Sequence, residues 1–292
     1  MKKIQLIAPA SYVPNLKKEQ LGCLREQLEK MGYELYYTSQ PFKEKYFWAG
    51  TDNTRLKDLE QAFCNPDTDA ILAIRGGEGS MRLLDKIDYQ KIKKHPKLFI
   101  GFSDITALQN ALWTKAKLPS YTGFVGSFGF QKMLPKMFKS LKLCLDNQIQ
   151  NIPVKTICSG KANGILLGGS LTAFCALLGT PYFPDMKGKI LLLEEVNEPA
   201  YRLDRLLNQL HLAGVFDKIS GLVLGDMTAG LEKQDKLLAA QIVKEHISDL
   251  KCPVVSLPDY SHVRRGNILP IGVNVQINTA KNILSLDKIQ KF

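Results

Sequence analysis

Short apolar runs alternate along this chain with stretches whose apolar positions recur at helical spacing. Ile4 to Ala8, Tyr33 to Tyr37, Ala70 to Ile74 and Leu98 to Gly101 read as strands. Between them, the segment from Leu16 to Met31 keeps Leu16, Leu21, Leu24 and Leu28 on one side of a helix, and Thr54 to Phe63 forms another. Met81 to Ile87 is helix-like, and Ile105, Leu108, Ala111 and Leu112 form the apolar stripe of a helix ending near Lys115. Strand alternating with helix predicts a Rossmann-like, mostly parallel sheet with helices on both faces.

The pattern breaks from about Asp146 to Lys161, where Asn147-Gln148-Ile149-Gln150-Asn151 and Cys158-Ser159-Gly160 are polar and turn-rich. This predicts a first domain over 1–146, a linker over 147–162, and a second, mixed α/β domain over 163–292. In the second domain, strands are expected at Lys189 to Val196, Gly221 to Gly225 and Pro253 to Leu257. Helices are expected from Ala200 to Val215 and from Lys233 to Leu250, and an antiparallel pair at Val273 to Ile277 and Ile283 to Leu286.

The composition excludes some chemistry. At 292 residues, 45% hydrophobic and 23% charged, the chain has the make-up of an ordinary globular protein. No apolar run approaches the roughly 20 residues of a membrane span, and the apolar core near the N-terminus is too short for a signal peptide. A cytoplasmic protein without a membrane partner is expected. The six cysteines form no C-x-x-C pair and the four histidines no H-E-x-x-H, so no metal is expected, although a carboxylate-only site stays open. The net charge of +11 is compatible with nucleic acid, an anionic surface or small acidic substrates. Its lysines are scattered and not interleaved with aromatics, which favours a solvated basic surface and no nucleic-acid partner.

Three windows carry candidate chemistry. In Gly101-Phe102-Ser103-Asp104 a strand turns into a helix. Ser103 there is either a helix N-cap or a nucleophile beside unpaired N–H groups of the helix start. Ile105 stands where the α/β-hydrolase elbow has its second glycine. Arg75-Gly76-Gly77-Glu78-Gly79-Ser80 is a tight turn, a phosphate cradle, or a loop whose Gly76 or Gly77 lends an N–H to an oxyanion hole. As a phosphate cradle it would make the chain a nucleotide-binding module. Ile190 to Leu193 is an apolar strand ending in Glu194 and Glu195, which alternate faces, so only one of them can serve a given site. Of the histidines, His262 lies in the turn-forming loop after Pro253 to Leu257, whereas His211 and His246 sit in helical runs and His95 in a lysine-rich loop. His262 is therefore the best general base.

Taken in order, Ile7-Ala8-Pro9-Ala10-Ser11, Ala49-Gly50-Thr51-Asp52, Arg75-Gly76-Gly77, Gly101-Phe102-Ser103-Asp104, Gly168-Gly169-Ser170-Leu171, Leu193-Glu194-Glu195 and His262 resemble the LD-carboxypeptidases along nearly the whole chain. The resemblance implies a two-domain serine peptidase with Ser103 as nucleophile, His262 as base and Glu194 as its acid. It implies oxyanion donors from the backbone of Asp104 and of Gly76 or Gly77, no cofactor, and a homodimer. The implied reaction cleaves the amide between an L-centre, typically of meso-diaminopimelate, and terminal D-alanine in a cytoplasmic murein tetrapeptide during wall recycling. Relatives with the same site hydrolyse peptide-nucleotide antibiotics of the microcin C type. This chain departs from the family at Glu78, where Tyr is usual, at Ser261, where Gly is usual, and at Glu195, where Asp is usual. The first two departures bear on the pocket.

Overall fold

The structure is a computed structural model and describes residues 1–148, 150–263 and 265–290. Its first half runs β1 (Lys2–Ile7), α1 (Lys18–Glu29), β2 (Tyr33–Tyr37), α2 (Asp52–Cys64), β3 (Ala70–Ala73), α3 (Tyr89–Lys94), β4 (Leu98–Gly101), α4 (Ile105–Ala116), β5 (Ser120–Thr122) and α5 (Pro135–Leu145). These strands pair in the order β5-β4-β3-β1-β2, all parallel. Strand order reverses between β1 and β3, and the carboxyl end of such a reversal is where open α/β sheets make room for a ligand. The loops after β1, β3 and β4 emerge there. Ser11 N donates to Gly76 O across the gap at 3.2 Å.

The chain continues through β6 (Asn151–Pro153), β7 (Lys155–Cys158), β8 (Lys161–Ser170), α6 (Leu171–Cys175), β9 (Ile190–Glu194), α7 (Ala200–Leu212), α8 (Val215–Lys218), β10 (Gly221–Leu224), α9 (Lys233–Ser248), β11 (Val254–Ser256), β12 (Leu269–Ile271), β13 (Asn274–Asn278) and β14 (Ile283–Leu286). The second sheet has the order β6-β14-β13-β8-β9-β10-β11-β7, with β8 to β11 parallel and the flanking pairs antiparallel. The chain is thus α/β, with a largely parallel first sheet and a mixed second one.

Two features depart from a plain division at 147–162. That span, expected as a linker, carries β6 and β7, which edge the second sheet. β12, late in the chain, returns to pair antiparallel with β5 and completes the first sheet. Pro270 lies in this edge strand, a position that tolerates the missing donor.

α4 is clamped between the two sheets. Ile105 through Leu112 are all buried, the polar Thr106, Gln109 and Asn110 among them. Each polar side chain finds a backbone partner, as burial requires. Gln109 Nε2 donates to Tyr121 O at 2.7 Å, and Asn110 Nδ2 donates to Gly168 O at 2.9 Å. Thr106 Oγ1 accepts from Ser170 N at 3.0 Å. The helix that begins just after Ser103 is thereby hydrogen-bonded to the end of β8, and β8 pairs with β9 so that Ser170 stands beside Glu194. One hydrophobic core runs through both halves, from Ile7, Phe99 and Leu108 to Leu191, Leu207 and Val255. No helix among the described residues is long and apolar enough to cross a membrane.

Candidate active site

Ser103 sits between β4 and α4 with φ of +65°. Left-handed backbone is costly for a residue with a Cβ and persists where its surroundings enforce it. The helix N-cap is Asp104, and no side chain makes a capping hydrogen bond there. The Asp104 carboxylate turns aside to accept from Ser80 N at 2.9 Å, and Asp104 O accepts from Ser80 Oγ at 2.8 Å. Burial pushes the Asp104 carboxyl up to about 6 against these hydrogen bonds. The glycine loop after β3 is thus pinned to the turn that carries Ser103.

Gly76 and Gly77 are dictated by space. A Cβ on Gly76 would lie 2.7 Å from Ser103 Cβ and 3.1 Å from Asp104 N. Gly77 has φ of +94°, and a Cβ there would strike Ser11 Oγ at 2.5 Å. The N–H groups of Gly76, Gly77 and Asp104 donate to no group among the described residues. They flank Ser103, where a negative oxygen would be welcome. Behind this loop lies Arg55, whose side chain is fully buried. Its Nη1 donates to Pro9 O at 2.6 Å and to Gly79 O at 2.7 Å, and its Nη2 pairs with Asp52 at 2.6 Å.

Across the site, Glu194 closes β9. Its Oε2 stands 2.9 Å from His262 Nδ1. The Glu194 side chain is wholly buried and that of His262 is 19% exposed. Burial pushes the Glu194 carboxyl up to about 7, while the His262 hydrogen bond and charge act in the opposite direction. His262 Nε2 has no hydrogen-bond partner among the described residues. Glu195 faces away. Its Oε2 accepts from Thr172 N at 2.8 Å and its Oε1 from Val196 N at 2.9 Å, so it is spent at the start of α6. The other histidines lie elsewhere: His246 Nε2 meets Asp204 at 2.9 Å and stacks on His211, and His95 ends α3.

Aromatic rings join the two halves of the site. Phe102, fully buried, packs on His262 with ring centroids 4.5 Å apart, on Tyr260 at 5.4 Å and on Phe128 at 6.0 Å. Tyr260 is anchored by Thr122, hydroxyl to hydroxyl, at 2.9 Å. The sequence pattern placed Phe102 in a turn and left Phe128, Tyr260 and Arg55 without a role. No local signal marks them, because their partners are distant in the chain. Among the described residues no group of three or more His, Cys, Asp or Glu could hold a metal ion.

A parallel sheet presenting a strained serine beside open N–H groups, opposite a carboxylate–imidazole pair, is the architecture of a serine-type peptidase. Comparison with known proteins agrees. The chain belongs to the LD-carboxypeptidase family: the family's N-terminal domain matches residues 4–123 and its C-terminal domain residues 163–277. It is 30% identical to a probable murein peptide carboxypeptidase of Bacillus subtilis, over 95% of this chain and 89% of that one. It is 26% identical to the microcin C7 self-immunity protein MccF of Escherichia coli, over 89% of this chain and 86% of that one. The structure of a muramoyltetrapeptide carboxypeptidase from Oxalobacter formigenes superposes with a TM-score of 0.87 and 28% identity, covering 99% of both chains.

Proposed function

We propose that this serine peptidase removes terminal D-alanine from cytoplasmic murein tetrapeptides, cleaving the amide that follows the L-centre of meso-diaminopimelate, as a step in wall recycling. The observation that carries the reading is the 2.9 Å contact of Glu194 with His262, on the same ring shelf as the turn of Ser103. In this scheme His262 Nε2 takes the Ser103 hydroxyl proton as Oγ attacks the carbonyl carbon. The N–H groups of Asp104 and of Gly76 or Gly77 receive the oxyanion. His262 then gives the proton to the leaving amine of D-alanine, and water releases the acyl group by the same steps in reverse order. Glu194 orients the imidazole and balances its charge. The first domain supplies nucleophile and oxyanion donors, and the second supplies acid and base. No cofactor takes part. The functional unit is a homodimer, a reading supported by the exposed Tyr201 and Leu212 of α7 and Leu237 and Leu238 of α9.

Incubation of the purified protein with the tetrapeptide tests this reading by assay of free D-alanine, with Ser103→Ala as control. Release by the parent and not by the variant is expected. The second reading is hydrolysis of a peptide-nucleotide amide. It is supported by the resemblance to the self-immunity protein and by the exposed Tyr46 and Phe47 next to Trp48, which touches the glycine loop at Gly79. Turnover of an aminoacyl sulfamoyl nucleoside without release of D-alanine would select it.

A further inference from the structure

A carboxypeptidase has to recognise the free carboxylate at the end of its substrate, and chemistry restricts where that carboxylate lies. The base that takes the Ser103 proton returns it to the leaving amine, so the leaving nitrogen sits against His262 Nε2. Bonds of about 1.46 Å and 1.52 Å then place the carboxylate carbon only about 2.5 Å beyond that nitrogen. The group that reads it belongs on the His262 flank of the site, away from the glycine loop where the oxyanion forms.

Arg265 occupies that flank. Its Nε donates to His262 O at 2.8 Å, and its guanidinium carbon lies 3.9 Å from the centre of the Phe128 ring. Phe128 packs edge-on against Phe102, which precedes Ser103 and carries the His262 ring. Arg265 is thereby tied both to the backbone of the base and to the ring shelf under the nucleophile. Of the other described cations near the site, Arg55 and Arg82 pair with Asp52, and Arg75, whose Nη1 donates to Tyr12 O at 3.0 Å, stands at the head of the glycine loop, on the oxyanion side. Arg265 pairs with no carboxylate among the described residues. Partial burial alone lowers its pKa. With Nε spent on His262, Nη1 and Nη2 remain as the planar fork that fits a carboxylate. A partly desolvated guanidinium without a counter-ion gains most from an arriving anion.

We infer that Arg265 binds the terminal carboxylate of the substrate and so restricts this site to the last residue of a peptide. The inference rests on the reading of Ser103 and His262 as nucleophile and base. It adds a residue that the family resemblance does not assign.

Two tetrapeptides that differ only at the end, one a free acid and one a D-alaninamide, separate this role from a structural one. The parent enzyme should favour the acid in kcat/KM by about 10- to 100-fold, the range of a charge-assisted hydrogen-bonded contact. Arg265→Gln should lose about that factor on the acid and less than about threefold on the amide, bringing the ratio close to one. Arg265→Lys should restore part of it. Equal losses on both peptides would make Arg265 a strut for the His262 loop and overturn the inference, as would an undiminished preference for the acid. Binding of the same two peptides to Ser103→Ala, measured calorimetrically with and without Arg265→Gln, reads the contact without turnover. A protein that releases no D-alanine but prefers the acid through Arg265 would sink the tetrapeptide reading alone. One that releases D-alanine with an unchanged acid-to-amide ratio in Arg265→Gln would sink the Arg265 inference alone. Failure of Ser103→Ala to discriminate acid from amide overturns it as well.

Discussion

Glu194 Oε2 and His262 Nδ1 stand 2.9 Å apart although 68 residues separate them in the chain. The carboxylate is delivered by the last residue of a buried strand and the imidazole by the loop after β11, two strands away in the parallel part of the same sheet. Both therefore emerge at the carboxyl edge, which faces the turn of Ser103 by way of Phe102.

The two adjacent acids should separate cleanly on substitution. Glu194→Gln keeps the shape but not the charge, and the imidazole loses the partner that holds its tautomer. A fall in kcat of about 10⁴ is expected by analogy with other acid–histidine pairs. Glu195→Gln should keep kcat within about tenfold and instead cost about 1–3 kcal/mol of stability, because charge-assisted bonds to Thr172 N and Val196 N are weakened. Steady-state kinetics and thermal unfolding of both variants check this. The reverse ranking would assign the acid to Glu195.

The backbone of Ser103 stores strain that can be measured apart from catalysis. At φ of +65°, a residue with a Cβ is held about 1–2 kcal/mol above an ordinary conformation, and glycine is not. Glycine gives up part of this advantage, about 0.4–1 kcal/mol, to the greater disorder of its unfolded chain. Ser103→Ala and Ser103→Gly should both be inactive, with the glycine variant more stable than the alanine variant by up to about 1 kcal/mol. Equal or inverted denaturation midpoints would show that the turn is not strained at this residue.

The buried acid also sets a pH dependence. The Glu194 carboxyl moves from its ordinary 4.5 to about 7, chiefly through burial. In the proposed mechanism its ionised form supports the imidazolium, so the acid limb of kcat/KM should have its midpoint near 7. For stability the sign is opposite. Between 4.5 and about 7 the unfolded chain has released a proton that the folded chain still holds. The contribution of this group is full below 4.5, declines as pH rises, and is lost by about 7. Glu194→Gln should therefore lose less stability than the parent between about pH 5 and 7. Urea midpoints at the two pH values decide it, and parallel losses in both proteins would refute the shift.

Much of this architecture can be read locally, because apolar runs such as Ile4 to Ala8 and Ala70 to Ile74 end in Pro or Gly turns. Glu194 and Glu195 could be assigned to opposite faces from strand periodicity alone. Other features have no local signature. β6 and β7 are edge strands with most of their side chains in solvent, so they read as a polar, turn-rich stretch. β12 carries a proline and pairs with a strand from the other half. Thr106, Gln109 and Asn110 look like the wet face of α4. They are buried because the helix lies between the two sheets: β8 supplies partners to Thr106 and Asn110, and Tyr121 of β5 supplies one to Gln109.

Gly76 tests whether the glycine loop serves the chemistry or only the turn. Its missing side chain leaves room for Ser103 Cβ, Phe102 O and Asp104 N, all within 3.1 Å of where a Cβ would stand. Gly76→Ala should push Ser103 and the flanking N–H groups apart and lower kcat by about 100-fold or more, the effect of misplacing a reacting group or losing an oxyanion donor. Gly22→Ala, in α1 with nothing within 4 Å, is the control. It should gain about 0.5–1 kcal/mol in stability and leave kcat alone. Near-normal turnover in Gly76→Ala would remove that loop from the oxyanion site.

Arg55 is the sharpest test of how the loops are held. It is 1% exposed, and its fork joins Pro9 O, after β1, to Gly79 O, in the glycine loop, while Nη2 meets Asp52. Burial lowers its pKa, and the hydrogen bond to Asp52 raises it, so the guanidinium depends on its partners to stay buried and charged. A lysine carries the charge but not the fork, and cannot serve two carbonyls and a carboxylate in one plane. Arg55→Lys should cost about 2–3 kcal/mol. Arg55→Met should cost about 3–5 kcal/mol, because Asp52 and both carbonyls lose a buried partner. Both should lower kcat as the loop of Gly76 and Gly77 loosens. Arg82→Lys, on the same Asp52 but with half of its side chain exposed, should leave the thermal midpoint unchanged within error. If Arg55→Lys unfolds at the parent midpoint with normal kcat, the loops are held by backbone contacts alone, and Arg55 is a bystander beneath them.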